Sequence, residues 1–78
     1  MGRREKLIAP IRARPPKADF SDVRAALEYF GRVLDRESGS HATFTKRGEF
    51  PVTIPKVGGK KVKRAYLTLL CERLGLED

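Results

Sequence analysis

The sequence predicts a small α+β domain in which a helix, three antiparallel strands and a second helix follow one another along the chain. Apolar residues recur at three- and four-residue steps in residues 20–30 and 61–74, which is the period of a helix with one buried face. They alternate with polar residues in 41–46 and 50–54, which is the period of a half-buried strand. Elements of this kind pack in two layers, so we expect both helices on one face of the sheet and the other face open.

The first predicted helix begins after Asp19 or Ser21, either of which can cap its N-terminus. It ends before Gly31, because glycine readily adopts the left-handed conformation that often follows a helix. Its buried face consists of the apolar residues at helical spacing, namely Phe20, Val23, Leu27 and Phe30.

The three strands are predicted over residues 32–37, 41–46 and 50–54, joined by turns at Gly39-Ser40 and Arg47-Gly48-Glu49. Pro51 marks the third as an edge strand or a bulge, because proline has no N–H to donate.

The second strand separates two faces of the sheet. His41, Thr43 and Thr45 lie on one side of it, and Ala42 and Phe44 lie on the other. Since Phe44 must point into the core, we expect the side with His41 to be the open one.

A basic, glycine-containing loop over residues 56–60 leads to the last helix, which is predicted from Lys61 to Leu74 and ended by Gly75. The predicted buried stripe of this helix is Val62, Tyr66, Leu69, Leu70 and Leu74.

The first 18 residues differ from the rest, and we divide the chain into a basic N-terminal segment (1–18) and a main domain (19–78). The first segment contains six lysines and arginines and only one acidic residue. Residues 4–9 are compatible with one or two helical turns that Pro10 ends or kinks, and Pro15-Pro16 forms a stiff linker. Two interpretations of this arm or short helix are open: it adds affinity for nucleic acid, or it is a solvated tail.

The composition limits the class of protein. A chain of 78 residues with 40% hydrophobic content forms one small globular domain. A formal net charge of +7 indicates a polyanionic partner, which is nucleic acid, an anionic membrane or an acidic protein. No apolar run approaches the ~20 residues that span a bilayer, and Pro10 interrupts the early apolar stretch. We therefore expect a cytoplasmic protein without a membrane segment.

Seven lysines and arginines lie between residues 46 and 64, where Glu49 is the single acid. Such clustering is typical of a surface that binds phosphates, although a solvated surface is the alternative. The predicted RNA-binding residues are Lys46, Arg47, Lys56, Lys60, Lys61, Lys63 and Arg64.

The single histidine, His41, is the candidate for chemistry. RNA supplies its own nucleophile in the 2′-hydroxyl, so a ribonuclease needs a base for that proton, cations for the developing charge and an acid for the leaving oxygen. An imidazole titrates near neutral pH and meets part of this requirement without a metal ion. The residues alone leave other interpretations open: an ordinary strand residue, a groove contact, or a nucleophilic pair with Cys71. With one cysteine and one histidine the chain offers no convincing zinc site, and we expect no cofactor.

The run Gly39-Ser40-His41-Ala42-Thr43-Phe44 is followed by a strand ending Val52-Thr53-Ile54-Pro55-Lys56, a glycine–lysine loop and a leucine-rich helix. In this combination, from about Ser21 to Leu74, the chain resembles the HicA toxins of toxin–antitoxin systems. The resemblance implies a double-stranded-RNA-binding-type fold. It also implies a metal-independent mRNA interferase, an endoribonuclease that cuts single-stranded mRNA.

The same resemblance implies roles for individual residues. His41 is the catalytic candidate, Gly39 and Ser40 shape the turn that presents it, and a HicB-like antitoxin is the expected protein partner. Many HicA proteins carry further histidines where this chain has Ala42 and Val57. A pair of imidazoles is therefore not expected here, and a lysine, a tyrosine or water would protonate the leaving oxygen.

A non-catalytic double-stranded-RNA-binding domain is the alternative function, because such domains share the order of elements and open their last helix with lysines. The stretch Lys60-Lys61-Val62-Lys63 is similar to that helix start. The spacing favours the HicA-like interpretation, because the step from Gly39 to His41 is two residues here and three in those domains.

Overall fold

The computed structural model describes residues 2–76. Within them, the helices and strands follow the order α1 (Arg3–Arg12), β1 (Lys17–Asp19), α2 (Phe20–Tyr29), β2 (Val33–Ser38), β3 (His41–Thr45), β4 (Val52–Pro55), β5 (Lys61–Lys63) and α3 (Arg64–Leu74). The predicted α+β class and its three-stranded antiparallel sheet are confirmed, with β3 between β2 and β4. None of the described helices is long and apolar enough to cross a membrane.

The inner face of the three-stranded sheet forms one wall of the hydrophobic core. Ala42 and Phe44 of β3 and Ile54 of β4 are fully buried, at 0% exposure. Phe20 at the start of α2 packs against Phe44 with the ring centroids 6.0 Å apart. The alternation predicted for this strand is confirmed, with Ala42 and Phe44 inward and His41 exposed on the other face.

A second, two-stranded antiparallel sheet pairs β1 with β5, which the sequence did not indicate. Ala18 lies opposite Val62 and both are buried, while the lysines on either side of Val62 are exposed. The expectation that the last helix begins at Lys61 is therefore wrong, because α3 begins at Arg64. The physical reason is that the Lys-Val-Lys stretch has the period of a strand and finds its partner strand far away in the sequence.

The later start of α3 changes its buried face. The helix buries Leu67, Leu70 and Cys71. Of the stripe expected for this helix, only Leu70 is fully buried within it, since Val62 is buried in β5 and the others are partly exposed. Gly75 ends the helix as predicted, in the left-handed conformation with φ of 70°.

The basic N-terminal segment is not a solvated tail. Helix α1 continues through Pro10 for two further residues, and its Ile8 and Ile11 are 1% and 0% exposed in a core shared with α2 and α3. The Cys71 thiol of α3 donates a hydrogen bond to the Ile11 carbonyl oxygen at 3.8 Å. Burial of the two isoleucines offsets the hydrogen bond that Pro10 cannot make. The predicted division after residue 18 falls inside strand β1.

Candidate functional site

The side of the three-stranded sheet turned away from the core is built from cross-strand pairs, because residues directly opposite in antiparallel strands share a face. Along β2 and β3 the pairs on this side are Val33 with Thr45, Arg36 with Thr43, and Ser38 with His41. Along β3 and β4 they are Thr43 with Thr53 and His41 with Pro55. We call these eight residues the open face.

His41 lies at one end of the open face as the first residue of β3, and it is exposed. Ser38 of β2 and Pro55 of β4 flank it on the two neighbouring strands. No side chain of residues 2–76 forms a hydrogen bond or ion pair with the imidazole. Its ring nitrogens are therefore accessible to a ligand.

The turn before His41 is tied to the end of β4. Gly39 has a φ of 59°, which favours glycine over residues with a side chain. The backbone N–H of Lys56 donates to the carbonyl oxygen of Ser40 at 2.6 Å. These contacts hold the imidazole at the edge between the β2–β3 turn and the loop that follows β4.

The Lys56 side chain is not presented to solvent as the sequence led us to expect. Its side chain is 7% exposed, and Nζ lies 2.5 Å from Oε2 of Glu37 and 4.7 Å from the ring centroid of Phe20. The hydrogen bond from Lys56 holds the pKa of Glu37 below its ordinary value. The ammonium thus forms its contacts on the inner side of the sheet, where it links the end of β4 to Glu37 of β2. It is not a free phosphate ligand.

The loop after β4 begins at the end of the sheet where His41 lies and leads to strand β5, and both carry further cations. The N–H of Val57 donates to the Lys61 carbonyl oxygen at 2.7 Å, which closes this loop. The Lys61 ammonium also pairs with the Asp19 carboxylate across β1 and β5. Lys60 and Lys63 are exposed, and neither has an acidic partner within residues 2–76.

Arg64 ties the start of α3 to the segment between α1 and β1. Its Nε donates to the Arg14 carbonyl oxygen at 2.7 Å, and its backbone N–H donates to that of Pro16 at 3.2 Å. Lys17 lies directly opposite Lys63 in the β1–β5 pair and was not among the predicted RNA-binding residues. Like charges opposite one another are unfavourable, and a bound anion would relieve their repulsion.

Lys46 and Arg47 lie beyond the end of the open face that is distant from His41. Five steps of extended strand separate His41 from Lys46, a distance of about 17 Å. Lys46 Nζ lies 3.6 Å from the Glu49 carboxylate, which the buried Arg32 also contacts at 3.6 Å. The structure therefore does not bring these two predicted RNA-binding residues together with His41.

Arg36 is a functional candidate that the sequence did not indicate. The β2–β3 register shifts by one residue at Asp35, so that Arg36 lies opposite Thr43. The shift puts an exposed guanidinium on the open face, one cross-strand pair away from His41. Beyond Leu34 the strand has no apolar residue, so the sequence contains no signal that fixes its register.

The two positions expected to carry histidine in related proteins differ in their surroundings. Ala42 is fully buried on the inner face, opposite Glu37 on one side and Ile54 on the other. A side chain at this position points away from the open face. A histidine in place of Ala42 would therefore not add an imidazole to the open face. Val57 is 37% exposed and lies just past the end of β4.

The open face thus offers an imidazole, a guanidinium and several hydroxyl groups. Thr43 and Thr53 share one hydrogen bond, with their Oγ1 atoms 3.2 Å apart. Residues 2–76 contain no group of three or more histidine, cysteine, aspartate or glutamate side chains that could hold a metal ion. An imidazole beside cations is suited to moving a proton next to a phosphate.

Comparison with known proteins adds one finding. A family model described as the HicA toxin of bacterial toxin–antitoxin systems matches residues 20–76, which is most of the chain. The match begins at the first residue of α2, so α1 and β1 lie outside it. No curated protein and no solved structure matches the chain.

Proposed function

The chain belongs to the HicA toxin family of bacterial toxin–antitoxin systems, and from this premise we propose that it is an endoribonuclease that cleaves single-stranded mRNA without a metal ion. The observation that carries the proposal is the exposed imidazole of His41 on the open face, next to a basic loop. Family membership supports the toxin class, and the accessible imidazole supports the acid–base chemistry.

In the proposed reaction, an unprotonated ring nitrogen of His41 accepts the proton of a ribose 2′-hydroxyl. The 2′-oxygen forms a bond to the adjacent phosphorus, and the bond from phosphorus to the 5′-oxygen breaks. The leaving 5′-oxygen takes up a proton, so the products are a 2′,3′-cyclic phosphate and a 5′-hydroxyl end. The reaction consumes no oxidant, reductant or co-reactant.

The positions of the two tyrosines argue against a tyrosine as the acid that protonates the leaving 5′-oxygen. Tyr29 and Tyr66 lie on α2 and α3, and neither is on the open face. Lys60, in the loop that follows β4, or a water molecule is therefore our choice for protonating the leaving oxygen.

Exposed cations around the two sheets hold the RNA in this proposal. Lys60 of the loop that follows β4 and Lys63 of β5 contact the RNA beyond His41 in this proposal, and Arg47 extends the contact at the other end of the open face. Lys61 and Arg64 contribute charge although each also has a contact within the protein. Phosphate contacts of this kind give affinity without sequence selection.

A HicB-like antitoxin is the proposed protein partner, and it follows from family membership. We propose that it covers the open face, because a partner that occupies this side excludes RNA from His41. The net charge of +7 favours an antitoxin with an acidic contact surface.

The structure provides little support for a non-catalytic double-stranded-RNA-binding module. Such modules place lysines on the first turn of their last helix. Here Lys60 lies in a loop, Lys61 and Lys63 lie in strand β5, and α3 begins only at Arg64. The comparison of positions therefore favours the ribonuclease.

The reaction chemistry is tested with two labelled single-stranded RNAs in EDTA, one fully ribose and one with a 2′-deoxy sugar at the mapped cleavage position. We expect cleavage of the first to leave a 2′,3′-cyclic phosphate, detected by mass spectrometry, and no cleavage of the second at that position. Cleavage of the 2′-deoxy substrate at the same bond would exclude the proposed nucleophile.

A further inference from the structure

We propose that Arg36 is a second catalytic residue, whose guanidinium contacts the phosphate attacked at His41, and that the β-bulge at Asp35 places it there. This inference rests on the proposed ribonuclease function and adds a residue to it. Three observations support it. They are the register between β2 and β3, the charged side chains that this register places on the open face, and the bond between Glu37 and Lys56 that stabilises the register.

The bulge decides which charged side chains of β2 share a face with His41. Val33 lies opposite Thr45 and Leu34 opposite Phe44, and continued regular pairing would set Asp35 opposite Thr43 and Glu37 opposite His41. The open face would then carry two carboxylates, and Arg36 would point toward the buried Ala42. The observed shift between Leu34 and Arg36 exchanges the faces on which Arg36 and Glu37 lie.

With the shift, Arg36 lies opposite Thr43, Glu37 opposite Ala42 and Ser38 opposite His41. The shift removes the Glu37 carboxylate from the face that has to accept a phosphate and adds the Arg36 guanidinium to it. Carboxylates beside the substrate would repel the phosphodiester, whereas a guanidinium attracts it and donates two parallel hydrogen bonds to its oxygens.

The shifted register is held from the inner side of the sheet. Glu37 is bonded to Lys56 Nζ at 2.5 Å, and the Lys56 backbone N–H is bonded to the Ser40 carbonyl oxygen at 2.6 Å. In the unshifted register Glu37 would lie on the other face of the sheet, away from the Lys56 ammonium. Lys56 is therefore a positioning residue that selects the register in which Arg36 faces His41.

The position of Arg36 suits a contact with the reacting phosphate. It is diagonal to His41 across β2 and β3, a separation of about 7–8 Å between the two backbones, which an arginine side chain and a bound phosphate together can span. The Arg36 side chain is exposed, and it has no hydrogen bond or ion pair with any of residues 2–76. Its full charge is thus available to stabilise the extra negative charge on phosphorus-bound oxygens in the transition state.

The first test compares steady-state cleavage of a labelled single-stranded RNA in EDTA by wild type, Arg36→Ala, Arg36→Lys and Arg73→Ala. Arg73 is exposed in the last turn of α3, so its loss changes the net charge equally but away from the open face. We expect Arg36→Ala to lower kcat about 10²–10³-fold, as loss of one transition-state donor does, with a smaller change in KM. Arg36→Lys recovers part of the rate, and Arg73→Ala stays near wild type.

Equal kcat values for Arg36→Ala and Arg73→Ala, beside an active wild type, would overturn the inference and leave the proposed ribonuclease intact. An inactive wild type would instead contradict the proposed function. In that case the phosphate contact is decided by titrating an uncleavable 2′-deoxy oligonucleotide into ¹⁵N-labelled protein and following the Arg36 Nε–H signal. A shift at saturation supports the contact, and an unmoved signal rejects it.

A pair of single-residue deletions tests the register argument directly. Deleting Asp35 removes the bulge and leaves Arg36 opposite Thr43, whereas deleting Arg36 removes the bulge and sets Asp35 opposite Thr43. Both variants shorten β2 by one residue and keep Glu37 opposite Ala42. We expect the first to cleave RNA and the second to be inactive, with similar circular dichroism spectra. Equal activity of the two folded variants would refute a role for the guanidinium opposite Thr43.

Discussion

Lys56 Nζ lies 2.5 Å from Oε2 of Glu37, so that a lysine just past the end of β4 is bonded to a residue of β2 across the intervening strand β3. The residue of β3 between them is Ala42, which lies opposite Glu37 and is fully buried. The ion pair therefore joins the two strands on either side of β3, the strand that presents His41.

Removing the Lys56 side chain is expected to reduce both stability and cleavage. Lys56→Met loses the bond to Glu37 and the contact of the ammonium with the Phe20 ring, and we expect a loss of about 1–3 kcal/mol in the free energy of unfolding. Cleavage falls as well, because the register of β2 is no longer held. Urea unfolding and the RNA cleavage assay measure the two effects, and unchanged values of both would contradict the bracing role.

Stability is expected to depend on pH through Glu37. Because the bond from Lys56 lowers the pKa of this carboxyl in the folded state, its contribution is present above the pKa of the unfolded chain, about 4.3. The contribution is lost as pH falls through the lower folded-state value.

The measurement for this pH dependence compares urea unfolding of wild type and Glu37→Gln from neutral to acidic pH. The difference in unfolding free energy should be largest near neutral pH and shrink below about pH 4. In a Lys56→Met background the same substitution should show little pH dependence. A difference that stayed constant with pH in the wild-type background would show that the ion pair does not couple to folding.

The salt dependence of RNA binding is expected to distinguish cations that contact RNA from cations that lie elsewhere on the surface. Lys63→Ala removes one phosphate contact in our account, which reduces the slope of log K against log salt by about 0.7 for single-stranded RNA. Arg73→Ala removes the same charge from the last turn of α3, away from the open face, and should leave the slope unchanged. Fluorescence anisotropy with an uncleavable oligonucleotide measures the slopes, and an equal reduction for both variants would show that Lys63 makes no specific phosphate contact.

Helix α1 is expected to be essential for stability although it lies outside the family match. Ile11 is fully buried, so Ile11→Ala should lower the free energy of unfolding by about 2–5 kcal/mol. Lys6→Ala on the exposed side of the same helix should change it by less than about 0.5 kcal/mol. Thermal and urea unfolding measure the free energy of unfolding of the two variants. Equal losses for both would indicate that α1 does not contribute to the core.

The parts of the fold that the sequence predicted are those in which local pattern and burial agree. The alternation from His41 to Phe44 identifies the buried face of β3. Of the face that the helical spacing before Gly31 identifies, Val23 and Leu27 are buried and Phe20 and Phe30 are partly buried, and the spacing misses the buried Ala26. The pairing of residues 17–19 with 61–63 depends on a contact between distant segments, which periodicity does not reveal.

The candidate site was only partly predictable for a related reason. The exposure of His41 follows from the inward direction of Phe44, but the position of Arg36 depends on a bulge in a stretch without apolar residues. The burial of Lys56 likewise depends on Glu37 and Phe20, which meet it only in the folded chain. Charge clustering in the sequence cannot distinguish a lysine that is exposed and able to bind RNA from one that forms an ion pair within the protein.

The most direct test of the central claim is cleavage of a labelled single-stranded RNA in EDTA by wild type and His41→Ala. His41 is exposed and makes no side-chain bond with residues 2–76, so the variant should keep the wild-type circular dichroism spectrum and stability. We expect wild-type protein to cut the RNA and the variant to be slower by about 10²–10⁴-fold, as loss of a general acid–base group implies. Equal cleavage by the two proteins, or cleavage that EDTA abolishes in both, would contradict the account.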